Sequence, residues 1–172
     1  MSKEENYYER IIWKANKSQL FEHNCVEFCN LEEQKAKYIK EYLPKGVLPV
    51  LVFWGDYDKW TILCIDSLVS YYDQQLYIGD LAIIKADVAP CIEKKYIEPK
   101  NFTSNDLLRV ISQNGQGVDK VDEIENTDNL KRFAKWLYLK NTQEFIWMPG
   151  TKEVYSLWGI LLVIARKKGA SH

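Results

Sequence analysis

Histidine is nearly absent: of 172 residues only His23 and the terminal His172 carry an imidazole. A Ser–His or Cys–His mechanism would rest on His23 alone, and no nucleophile elbow or comparable motif lies near it. Glycine is equally scarce in the patterns that hold phosphates. None of the 8 glycines forms G-x-G-x-x-G or a Walker loop, and Asn114-Gly115-Gln116-Gly117 reads as turn chemistry. Charge of one sign is lacking too. With 23 basic and 24 acidic residues the net charge is −1, which argues against a strongly cationic nucleic-acid binder. Long apolar runs are missing: the block from Val154 to Ala165 has 12 residues. As a helix it would reach about 18 Å, against the ~30 Å of a bilayer core. The opening MSKEENYYER carries acids where a secretory signal has a basic start and an apolar run. These absences lead us to expect a soluble, cytoplasmic protein with no membrane or nucleic-acid partner.

Metal-ligand spacing is also lacking. Without a signal peptide, Cys25, Cys29, Cys64 and Cys91 fit reduced, mostly buried thiols better than a disulfide framework. His23, Cys25 and Cys29 fail as a local metal cluster. On a helix His23 points about 160° from Cys25; on a strand Cys29 lies roughly 13 Å beyond it. Zinc wants four ligands within about 2.3 Å. No cofactor or metal is expected.

What is present is ordinary globular composition, 47% apolar and 27% charged, with an aromatic excess of 6 Trp, 11 Tyr and 6 Phe. Such rings dominate cores or interfaces. The length suits one domain, residues 1–172, and no repeat or low-complexity segment divides it.

Residues 4–16 have helical spacing at Tyr8, Ile11 and Ile12. Ser18 to Cys29 reads as a short helix with Phe21, Cys25 and Cys29 on one side. Asn30 and Glu33 have capping-box spacing ahead of LEEQKAKYIKEYL, which Pro44 and Gly46 stop. Val47–Trp54 is an apolar strand with Pro49 near its start. Gly55–Lys59 is a turn. Trp60–Asp66 is apolar on both faces, so a strand covered on both sides is expected. Leu68–Tyr72 either continues that strand or pairs with it, and a turn at Asp73-Gln74-Gln75 then leads into Leu76–Ile78. Residues 87–102 read as a loop with one short strand, and Ser104 as the cap of a short helix over DLLRVISQ. Thr127 caps an expected helix over about 128–140, with Leu130, Phe133, Ala134 and Leu137 at helical spacing. Gln143–Met148 reads as a strand and Pro149-Gly150 as its turn. The last block, VYSLWGILLVIARKKG, has a helix ending in its basic residues and Gly169, but its Val and Ile content favours a strand paired across the turn. The fold class expected is therefore α+β: a mainly antiparallel sheet (about 47–84 and 143–165) packed with N-terminal helices and the helix at 128–140.

Three acidic constellations are candidates. Asp56 and Asp58 follow an apolar strand, the placement in which a D-x-D pair holds a divalent cation on a nucleotide-sugar. With Gly55 and Lys59 they suit a hairpin turn better, with Tyr57 at its tip. Asp80 with Glu93-x-Lys95 has the residue types of a metal-dependent nuclease, carboxylates for Mg²⁺ and a lysine to steady the attacking water, but little strand precedes it. These two are the residues of the enzyme alternative. The segment Asp119, Asp122, Glu123, Glu125, Asp128 has five acids and only Lys120 as a base, which would steer a cationic partner. As plain structure it is a solvated loop whose last acids favour the next helix N-terminus.

The strand-turn-strand text WTILCIDSLVSYYDQQLYIGDLAII, residues 60–84, resembles the sheet of small bacterial proteins with a pleckstrin-homology-like or related α+β fold. An acid-patched chain of this size without catalytic motifs is similar to the immunity proteins of polymorphic or contact-dependent toxin systems. That resemblance implies a cognate toxin domain as partner, held by complementary charge. The reading carried forward is a non-catalytic binding protein that contacts a cationic toxin through Asp119–Asp128 and through Asp56, Tyr57 and Asp58.

Overall fold

A computed structural model describes residues 1–84, 88–91, 136–139 and 144–169. The protein is α+β. Helix α1 spans Lys3–Lys17 and α2 Glu33–Lys40; α3 spans Thr151–Gly169. A five-stranded antiparallel sheet runs in the order β1 (Val26–Glu27), β2 (Pro49–Asp56), β3 (Lys59–Cys64), β4 (Ser67–Tyr72), β5 (Gln75–Asp80). A three-stranded antiparallel sheet has the order β6 (Val88–Cys91), β7 (Trp136–Leu139), β8 (Glu144–Trp147).

Strands β2–β5 form a meander, because each is joined to the next by a turn too short to cross over, whereas β1 reaches β2 by way of α2. Pro49 opens β2, the strand position that needs no ladder donor. The β4–β5 turn places Asp73 at φ 51° and Gln74 at φ 59°, the left-handed pair whose twist matches a two-residue hairpin. Register puts Val52, Ile62, Val69 and Ile78 in one row across β2–β5. This face packs Val52, Trp60, Ile62, Cys64 and Val69 against Ile39 of α2. The opposite face carries Leu51, Phe53, Leu63 and Leu68 into a larger core with Ile11 and Ala15 of α1, Leu137 of β7, Ile146 of β8, and Val154, Leu157 and Ile160 of α3. β3 is thus apolar on both faces because both are covered, as its sequence requires.

Helix α1 starts at a full capping box. Ser2 Oγ accepts from the Glu5 N–H at 3.1 Å, and Glu5 accepts from the Ser2 N–H at 2.6 Å. The two sheets are tied by Thr61, whose hydroxyl donates to the Trp147 carbonyl at 2.5 Å and lies 2.8 Å from the Ser70 hydroxyl. Trp147 in turn lies over Gly55, where an added Cβ would come within 2.5 Å of its ring.

Four expectations are corrected. Residues 151–169 form a helix, not a strand. Val154, Leu157, Ile160, Leu161 and Ile164 are buried while Val163 is exposed, so helical periodicity outweighed the β-propensity of Val and Ile. Residues 136–139 form β7, not the end of a helix. Leu137, Tyr138 and Leu139 are buried in succession, which suits a strand covered on both sides; residues 128–135 lie outside the described part. Ser18–Cys29 is not one helix but a short 3-10 turn at Leu20–Glu22, then β1, then another 3-10 turn from Phe28. Gln19, at φ 56°, turns the chain away after α1. The Asn30–Glu33 capping box does not form either: α2 begins at Glu33, its N-cap is Glu32, and no side chain caps it. Among the described residues no helix is long and apolar enough to cross a membrane.

Candidate functional site

The β2–β3 hairpin and α2 together build the most distinctive surface. Pairing Trp54 with Trp60 and Asp56 with Lys59 leaves Tyr57-Asp58 as the turn, with an irregularity at Gly55 that bends the hairpin end. The Asp56 carboxylate accepts from the Asp58 N–H at 3.0 Å, an Asx-type cap of the turn. That hydrogen bond, with one from the Asp58 side chain, lowers the Asp56 pKa; the same side-chain bond holds the exposed Asp58 carboxyl above its ordinary range.

Beneath the acids six rings interlock. Tyr57 makes edge contacts with Trp54 at 5.1 Å and Tyr38 at 5.0 Å. Tyr38 lies 5.0 Å from Tyr42, and Tyr42 contacts Trp60 at 5.7 Å and Tyr71 at 5.4 Å. Trp60 stacks on Tyr71 at 5.7 Å. The Tyr38 hydroxyl donates to the Tyr57 carbonyl at 2.6 Å, which pins α2 to the turn. Burial, then the neighbouring Tyr42 hydroxyl, push the Tyr38 phenol up to about 12. Lys35 sits 5.2 Å over the Trp54 ring and 3.3 Å from Glu32. Trp60 is fully buried, and its indole N–H has no partner among the described residues. The cluster grades from that closed interior to Tyr57, which is 48% exposed. It can present rigid aromatic area and negative charge together.

Of the acidic candidates, Asp56, Tyr57 and Asp58 are brought together here. Asp80 instead caps the turn after β5, accepting from the Ala82 N–H at 2.7 Å. Glu93 and Lys95, and the whole set Asp119, Asp122, Glu123, Glu125 and Asp128, lie outside the described residues. Among the described residues no group of three or more His, Cys, Asp or Glu side chains could hold a metal. His23 and Cys29 are exposed while Cys25 is buried, so the three do not face one space.

Sequence reasoning missed two features. The aromatic cluster joins Tyr38 and Tyr42 to rings 18 or more positions away, a juxtaposition that no local spacing encodes. Glu153 is an acid with only 2% of its surface exposed. One of its carboxylate oxygens accepts from the Asn24 backbone N–H at 3.1 Å and from its side-chain amide at 3.4 Å. Burial, then the Glu153 charge, raise the pKa of the adjacent Cys25 thiol. A signal existed: Gly150 followed by Glu153 has the spacing of a helix start with an acid in its first turn. Glu153 fastens the segment after α1 to α3 and is spent on that.

No known protein family, curated protein or solved structure matches the chain, so the site stands on its own geometry.

Proposed function

We propose that this chain is a non-catalytic protein-binding protein of the immunity or inhibitor type, which neutralises a cognate cationic toxin domain. The observation that supports this reading is the acid-tipped aromatic cluster on the β2–β3 hairpin. Tyr and Trp dominate binding hot spots because they bury much area while losing few rotamers. Here Tyr57, Trp54 and Tyr38 are already held by ring contacts and the Tyr38–Tyr57 hydrogen bond, so little ordering cost remains to be met on association. Asp56 and Asp58 stand at the exposed tip, where carboxylates steer a basic partner before contact. The acidic segment Asp119–Asp128, outside the described residues, is a second candidate for the same kind of steering.

Co-expression with a growth-arresting cationic domain from a neighbouring gene tests the reading: the chain should restore growth, and a neighbourhood that encodes no such domain would count against it. For the purified pair, Asp56→Lys with Asp58→Lys should slow association, most at low salt. Tyr57→Ala should speed dissociation by roughly thirtyfold, the equivalent of about 2 kcal/mol. Lys at Asp122, Glu123 and Glu125 probes the acidic segment separately. Failure of growth rescue together with unchanged kinetics in all three variants would remove both the function and the face.

A further inference from the structure

The end of the large sheet that carries the β4–β5 turn has a recess on the face away from α2. Register sets Tyr72 beside Gln75 and Ser70 beside Tyr77, so these four side chains share that face. Across from them β8 contributes Glu144 and Phe145, and between the two lies an open pocket of about 320 Å³ with Leu76 at its rim. That volume is at the small end of the range for ligand sites. We propose that this pocket takes a guanidinium group, that of an arginine side chain carried by a partner chain.

Three rings, Tyr72, Tyr77 and Phe145, surround one carboxylate, and among the described residues no basic side chain lines the space. Ring faces attract a cation, and a planar guanidinium both stacks on them and forks onto a carboxylate. The Glu144 carboxylate is exposed and makes no ion pair or hydrogen bond with a described residue. The Gln75 side-chain amide makes none either, so its carbonyl is available to a further guanidinium N–H. The nearest base in register is Lys59, opposite Tyr72 on β3, but its stem packs beside Gly55 and its charge acts on Asp56. From Trp60 to Ile84 the chain carries Asp66, Asp73 and Asp80 and no base, so the field around the β4–β5 hairpin favours a cation.

The recess is held open by its own framework. The Ser70 hydroxyl at its floor is 3% exposed and lies 2.8 Å from the Thr61 hydroxyl, within the link that joins the two sheets. Tyr77 is laid along β5, its hydroxyl in the place that a Gly79 Cβ would take. Glycine inside a strand weakens it; here it lets the ring lie towards Gly79 and keeps it clear of Gln75. A chain-borne source suits the position. β5 is the outermost strand of the described sheet, and Leu76, 42% exposed, offers apolar surface to an arginine stem. The pocket and the aromatic cluster occupy opposite faces of the sheet, and the guanidinium site does not rest on the toxin reading.

Proton–nitrogen correlation spectra of the full chain, titrated with N-acetyl-arginine methylamide, test the assignment beside the capped lysine and citrulline analogues and free arginine. The arginine compound should shift the Gln75 side-chain amide and the Phe145 backbone amide in a saturable way. Citrulline, alike in shape but uncharged, should bind about tenfold more weakly, and the lysine analogue should also be weaker than arginine. Glu144→Gln should weaken the arginine compound about tenfold, as loss of a charge-assisted contact does. Tyr72→Leu should weaken it about threefold, and Glu9→Gln on α1 should change nothing. Free arginine should bind no better than the capped compound. Absence of saturable shifts, equal binding of citrulline, or undiminished binding by the Glu144→Gln variant would overturn the proposal. A lysine analogue that binds as tightly would overturn the guanidinium assignment, and tighter binding of free arginine would overturn the partner-chain source.

Discussion

Thr61 is fully buried and shows how much one hydroxyl can organise. It donates to the Trp147 carbonyl and sits against Ser70, itself 3% exposed, so a single group joins β3, β4 and β8. Thr61→Val keeps the shape but takes the donor from the Trp147 carbonyl and leaves the Ser70 hydroxyl only its long bond to the Trp60 carbonyl, at 3.4 Å. Urea unfolding should show a loss of about 1–3 kcal/mol, with Thr61→Ser losing less; an unaltered midpoint in the valine variant would dismiss the link. The cysteines separate by environment in the same way. Cys29 is exposed, whereas Cys25 and Cys64 are buried. Partial desolvation, then the Glu27 side chain, raise the Cys29 pKa, and the thiolate is the reacting form. Peptide mapping after brief iodoacetamide treatment should find Cys29 labelled ahead of Cys25 and Cys64, slowly at neutral pH and faster as pH rises. Labelling of Cys25 or Cys64 before Cys29 would contradict the packing.

At the scale of elements, the β4–β5 hairpin has correct geometry and imperfect chemistry. Both turn residues are left-handed, but Gln74 bears a full side chain where glycine is favoured. Each non-glycine left-handed residue costs roughly 1–2 kcal/mol, partly offset by the entropy a glycine loses on folding. Gln74→Gly should therefore raise stability by about 0.5–1 kcal/mol, seen as a higher thermal midpoint; a lower midpoint would mean that the Gln74 side chain is needed. The same scale explains which elements could be read from sequence. The ends of β2 and of β4 were legible because turn residues close each apolar run: Gly55 through Asp58, then Asp73-Gln74. The break between β3 and β4 was not, because Ile65-Asp66 carries no glycine or proline and residues 60–72 could be one strand or two. Helix α1 was legible from Ile11 and its neighbours. Helix α3 was misassigned because residue propensity was weighed above spacing, although Val154, Leu157, Ile160, Leu161 and Ile164 already had helical intervals. β7 was misassigned for the converse reason: four residues are too few to distinguish a buried strand from a piece of helix.

For the molecule as a whole, folding buries several groups that hold their protons. Burial pushes the Cys64 thiol up to about 12 from an ordinary value of 9.0, and also raises Cys25 and Tyr8; Tyr38 rises to about 12. In the unfolded chain these groups ionise near their ordinary values. Above about pH 9 the unfolded state therefore binds fewer protons than the folded state, and linkage makes stability fall with rising pH. The thermal midpoint should decline progressively above pH 9, starting with the buried thiols, and Cys64→Ala should flatten part of that decline. A midpoint independent of pH between 8 and 11 would show that these thiols and phenols are more hydrated than their packing indicates.

The amino-acid sequence alone determined the α+β class, an antiparallel sheet within residues 47–84, the double coverage of β3 and the Tyr57-Asp58 turn. Each depends on alternation and turn chemistry within a few residues, and such local preferences act wherever the segment lies. Tertiary structure decided what those elements do for one another. It placed α3 and the small sheet on one face and α2 on the other, set Tyr38 against Tyr57 and Tyr42 against Trp60 and Tyr71, and brought Asn24 to Glu153. These juxtapositions arise from burying two opposite apolar faces at once, and the residues that meet are 18 to 129 positions apart.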